Sequence, residues 1–95
     1  MNYLKPPCKS NEKCTCSELY LKAIPLSAQL VMWYWIHQEH RTKFDRNNPV
    51  IKQSANYIKR TRNKLKNINI KYASNVGYNI EKLTQLLRDT ENWNN

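Results

Sequence analysis

The sequence predicts an all-α protein: one compact domain of four to five helices, the last three packed together as a C-terminal unit. Three observations point there. Residues 49–66 repeat their apolar positions at about 100° per residue, the helical period. Helix-start signals recur along the chain, Asn48-Pro49 being the clearest. The 95 residues also hold a single glycine, Gly77, so the one position that turns left-handed at no steric cost stands alone.

Residues 1–14 carry Pro6-Pro7 and little periodicity, and are expected to form an extended arm ahead of a helical domain over 15–95. Thr15-Cys16-Ser17-Glu18 has the spacing of a capping box, in which a hydroxyl and a carboxylate satisfy the free backbone donors of a helix start. That helix should stop before Pro25, because proline disfavours helical geometry in the residue preceding it. Ser27 then reads as the cap of a second helix over 28–44, with Leu26 stapled to Val31. The run from Leu30 to Ile36 is apolar on all sides, a pattern shared by a buried strand, and helix-compatible flanks favour the helix. A helix apolar all round is buried on more than one face. It is therefore expected to be a central strut, or to have its second face covered by another subunit in a homodimer.

Asn48 and Pro49 open a third helix over 49–66, where the missing proline donor costs nothing at the first helical position. Val50, Ile51, Tyr57, Ile58 and Leu65 fall on one side of it. Lys52, Lys59 and Lys66 recur every seven residues on the other, flanked by Arg60, Arg62 and Lys64, with no acidic residue between 49 and 66. Two shorter helices are expected to follow, over 70–76 and 79–90.

The net charge of +9 selects anionic partners: nucleic acid, an anionic membrane or an acidic protein. A run of cations is most often a solvated face. Solvated faces usually mix signs, however, and six cations without an anion repel one another in the free protein. The pattern thus favours phosphate contacts. No stretch approaches the roughly 18–20 apolar residues that span a bilayer, and the basic helix lacks the aromatic face of an interfacial one. The first thirteen residues lack the apolar segment of a secretory signal, so the expected location is cytoplasmic. Abundant Asn and Lys with scarce Gly also suit an AT-rich coding sequence, as in phages and plasmids.

Around Gly77, Ala73 offers a small residue where two helices cross closely, and Tyr72, Val76, Tyr78, Leu83 and Leu86 stand where a shared core requires them. Asn79 is placed to cap the following helix. The segment 70–88 resembles the helix-turn-helix of bacterial DNA-binding proteins, and Ala73-Ser74-Asn75-Val76-Gly77-Tyr78 resembles the corresponding stretch of AraC-type regulators. The chain is too short for the two complete helix-turn-helix units of that family, so the resemblance does not imply effector control. It implies a recognition helix from Ile80, with Asn79, Glu81, Lys82, Thr84, Gln85 and Arg88 as the outward residues that would meet base edges, although Glu81 opposes phosphates. The simpler alternative is that Gly77 only ends one helix with a left-handed residue and the two helices form an ordinary hairpin.

Other chemistry finds less support. Cys8, Cys14, Cys16, His37 and His40 include zinc-type ligands, but Cys14 and Cys16 are one residue apart and Cys8 is five away, unlike the usual spacing of two to four. Free cysteines and two solvent-facing histidines are expected, with no metal or other cofactor. Two Asp and five Glu lie singly, and no phosphate loop or nucleophile elbow is present, so no enzyme is expected. Trp33, Tyr34 and Trp35 could stack on bases, but within an apolar run they suit a core or a dimer interface better.

The reading is a small DNA-binding regulator of transcription or replication, contacting duplex DNA through Lys52, Lys59, Arg60, Arg62, Lys64, Lys66, Asn79, Lys82, Thr84, Gln85 and Arg88. The alternative is a basic adaptor or inhibitor that docks an acidic surface of a larger enzyme, such as a polymerase or nuclease.

Overall fold

The structure, a computed structural model, describes residues 16–94. Over these residues it is all-helical, with three helices in place of the four to five expected: α1 (Cys16–Lys43), α2 (Pro49–Val76) and α3 (Glu81–Asp89). The arm over 1–14 and Thr15 of the expected capping box lie outside the described residues. Helices α1 and α2 each run 28 residues, about 42 Å, and pack antiparallel as a long hairpin. Three cross-helix pairs fix the register: His37 with Ser54, Trp33 with Tyr57, and Tyr20 with Tyr72. In each, the two residue numbers add to 90–92.

One helix replaces the two expected on either side of Pro25. Cys16, Ala23, Leu30 and His37, seven apart, are all buried, so a continuous inward seam crosses the proline. Interior proline costs a helix about 3 kcal/mol. Here Pro25 sits on an exposed side of the helix while the packed seam passes on the other. Tertiary burial outweighs the local penalty. The expected Ser27 cap and Leu26–Val31 staple accordingly do not form: Leu26 packs inward on the core, while Val31 points to solvent.

The start of α2 is as expected. Asn48 takes an extended conformation and its Oδ1 accepts from the Val50 N–H at 3.0 Å, with Pro49 at the head of the helix. Its end differs, because α2 does not break between 66 and 70. Ile68, Asn69, Tyr72 and Val76 continue the buried stripe of Ser54, Ile58, Thr61 and Leu65, and that continuity carries the helix through the polar Asn67 to Asn69. The separate helices at 49–66 and 70–76 are therefore one, and the C-terminal tri-helical unit is not formed.

Gly77 ends α2 with φ 88°, its N–H bonded to the Ala73 carbonyl at 2.7 Å, the common left-handed helix stop. The N-cap of α3 is Ile80 and not Asn79, and Ile80 has no capping side chain of its own. The role passes to α2: Asn69 Oδ1 accepts from the Ile80 N–H at 2.8 Å, and Asn69 Nδ2 donates to Thr84 Oγ1 at 3.1 Å. Ile80, Leu83 and Trp93 complete the core from this C-terminal segment.

Candidate nucleic-acid interface

With α1 covering one side of α2 and α3 a second, the remaining arc is fixed by the helical period. Seven cations lie in α2 and no acidic residue does. Six of them, Lys52, Lys59, Arg60, Lys64, Lys66 and Lys71, are exposed. At 100° per residue they form two rows. Lys52, Lys59 and Lys66 make one; Arg60, Lys64 and Lys71 make the other, about 120° further round. Between the rows runs a stripe of exposed amides, Asn56, Asn63 and Asn67. From Lys52 to Lys71 the face is about 28 Å long at 1.5 Å per residue. Among the described residues the ion pair within 4 Å is Glu39 with Lys43 in α1, so none neutralises this face.

Arg62, expected in the same set, is used inside the fold. It is buried, its Nη1 donating to the Leu87 carbonyl at 2.8 Å and to Thr90 Oγ1. Burial lowers the guanidinium pKa from its ordinary value, opposed by the nearby Glu91 carboxylate, yet the group stays charged, as guanidinium does throughout the working range. Its two acceptors lie at the C-terminal end of α3, where carbonyls without helical partners attract a cation. Arg62 therefore holds α3 onto α2. Periodicity shows which side of a helix a residue takes, but not whether a third element covers that side.

The α3 candidates divide. Asn79, Thr84, Gln85 and Arg88 surround one shallow hollow together with Glu81, whereas Lys82 faces the groove between α3 and α1. Thr84 is half-buried, its hydroxyl donating to the Ile80 carbonyl at 3.0 Å while it accepts from Asn69. Gln85 Nε2 donates to Asp89 at 2.8 Å. Conversely, Asn67 and Lys71 were hidden by ending the helix at 66, and Asn56 and Asn63, inside that helix, were passed over in favour of the cations. Their signal was the same seven-residue spacing, from Asn56 to Asn63 and from Lys64 to Lys71.

His37 is not solvent-facing as expected but buried in the α1–α2 seam. Its Nδ1 lies 2.7 Å from Ser54 Oγ, and the Ser54 hydroxyl donates to the Ile51 carbonyl at 3.0 Å. With the hydroxyl proton so committed, His37 donates from Nδ1, leaving Nε2 as a lone-pair acceptor. Nε2 is buried and has no hydrogen-bond partner among the described residues. The ring meets Trp93 edge-on at 5.4 Å and borders a cleft of about 500 Å3 with Arg41 and Arg46. Desolvation, then the charges of Arg41 and His40, hold the pKa of His37 below its ordinary 6.5.

A histidine depressed in this way is neutral in the fold and takes up its proton more readily when unfolded. Its contribution is thus full above about pH 6.5 and is lost as pH falls through the folded pKa. The midpoint of thermal unfolding should therefore drop from pH 7.5 to pH 5, and His37→Gln, which keeps a donor for Ser54 but does not titrate, should flatten that dependence. A wild-type protein more stable at pH 5 than at 7.5 would contradict the neutral assignment.

Among the described residues no three His, Cys, Asp or Glu side chains come together as a metal site, and no helix is long and apolar enough to cross a membrane. Compared with protein-family models, curated proteins and solved structures, the chain matches none.

Proposed function

We propose that this protein acts by binding and not by catalysis, and that its ligand is a nucleic-acid duplex held along the exposed face of α2. The observation that carries the reading is the composition of that face: two cationic rows, no carboxylate, and a stripe of amides between them. Cations on both sides suit the two phosphate backbones that border a groove, where each neutralised phosphate releases condensed counterions. Amide side chains between them suit base edges, adenine in particular. An α-helix fits the major groove of B-form DNA, so duplex DNA is the ligand proposed, with α3 a lateral contact through Gln85 and Arg88 in place of a recognition helix. A small binding protein of this kind fits a regulatory role in transcription or replication.

The test is residue-level mapping of amide chemical shifts as a 16-base-pair duplex is added. Perturbations should centre on the exposed positions from Lys52 to Lys71 and include the side-chain amides of Asn56, Asn63 and Asn67. Shifts confined to α1 would remove the proposed face. Polyglutamate is the second titrant: binding it as tightly as the duplex would favour an acidic protein partner over nucleic acid.

A further inference from the structure

The outer flank of α1 is unlike any other exposed surface of the fold. Leu21, Ile24, Ala28, Val31 and Trp35 are all exposed and follow one another at steps of 3, 4, 3 and 4, the spacing of a coiled-coil seam. Met32 lies beside them, and the five large side chains are between 41% and 67% exposed. This seam is separate from the Cys16, Ala23, Leu30 and His37 seam that faces α2. From Ala23 to Gln38 the helix carries no Asp, Glu, Lys or Arg. At Ile24 the stripe runs into an apolar groove of about 310 Å3 against Leu83 and Leu86 of α3, so the patch continues across two helices.

We propose that this flank pairs with the same flank of a second copy, the two α1 helices running antiparallel about a two-fold axis at Ala28. The sequence is self-complementary about that point: Leu21 of one copy meets Trp35 of the other, and Ile24 meets Met32, while the small Ala28 lets the helices approach at the centre. The five large side chains expose roughly 500 Å2 per copy, so a two-fold pair that covered them fully would bury on the order of 1,000 Å2, the lower threshold of specific interfaces. A polyanion gains nothing on so apolar and uncharged a surface. The pairing stands independently of the ligand of α2.

Sedimentation equilibrium on the full chain tests it. The 11.4 kDa chain should give twice that mass at tens of micromolar, and Trp35→Glu and Ala28→Arg, both at exposed positions, should return it to monomer with helix content unchanged. A monomeric wild type at 100 μM, a mass above dimer, or a dimer that survives both substitutions overturns the proposal. Amide shifts followed on dilution need no substitution: changes should centre on 17–39, and changes centred on α2 would place the contact elsewhere.

Discussion

Lys59→Glu combined with Lys66→Glu should weaken duplex binding by at least 100-fold at 0.1 M salt while leaving the midpoint of unfolding nearly unchanged. At that salt concentration each neutralised phosphate contributes roughly tenfold through counterion release. Losing two contacts accounts for about 100-fold, and the new carboxylates add repulsion. Both lysines are exposed, and exposed substitutions of this kind shift stability by only about 0.5 kcal/mol. Anisotropy titrations of the variant and the wild type measure the loss, and thermal melts check the fold. A loss below tenfold would mean that the row Lys52, Lys59 and Lys66 does not lie against phosphate.

Arg62→Met should do the opposite. Methionine keeps much of the aliphatic volume but removes the donors to Leu87 and Thr90. Hydrogen bonds from a charged group are worth about 1.5–3 kcal/mol each in proteins. Their joint loss, with the part-buried Leu87 carbonyl left unpaired, should cost about 3 kcal/mol and lower the unfolding midpoint by roughly 15 °C for a domain of this size. Arg62→Lys should recover less than half, since a single ammonium cannot reproduce the planar fork. If Arg62→Met instead weakened duplex binding without lowering the melting temperature, Arg62 would belong to the phosphate-contacting surface after all.

The helical period was legible wherever one face alone is buried. Asn48-Pro49 marked the start of α2, and the seven-residue recurrence of Lys52, Lys59 and Lys66 marked its exposed side. Pro25 misled, because its local cost is visible in sequence while the compensating burial of Ala23 and Leu30 against α2 exists only in the folded hairpin. The join between 66 and 70 was hidden for a related reason. The Asn69 amide is consumed in capping α3 eleven residues on, a partner that the local sequence does not show. Arg62 shows the same limit from the other direction, since a cation at the edge of a basic face is indistinguishable in sequence from one that anchors a third helix.

The all-apolar run from Leu30 to Ile36 was expected to be covered on more than one side. Within one copy it is covered on one: Leu30 is buried and Trp33 stacks on Tyr57 at 4.3 Å, while Val31, Met32 and Trp35 remain exposed. The excess apolar surface that the sequence displays is therefore still present in the isolated fold, and a second copy is what the proposed pairing supplies.

Duplex binding across a salt series reads the contact between α2 and phosphate. With six exposed cations on α2, the plot of log binding constant against log salt has a limiting slope of about −5, at 0.9 per phosphate neutralised, and a face on which most of them engage should give a slope between about −3 and −5. Such a slope on a duplex of arbitrary sequence is the result expected if α2 lies against the phosphate backbones. A slope near zero, or no binding at 50 mM salt, would show that the basic face of α2 does not hold nucleic acid.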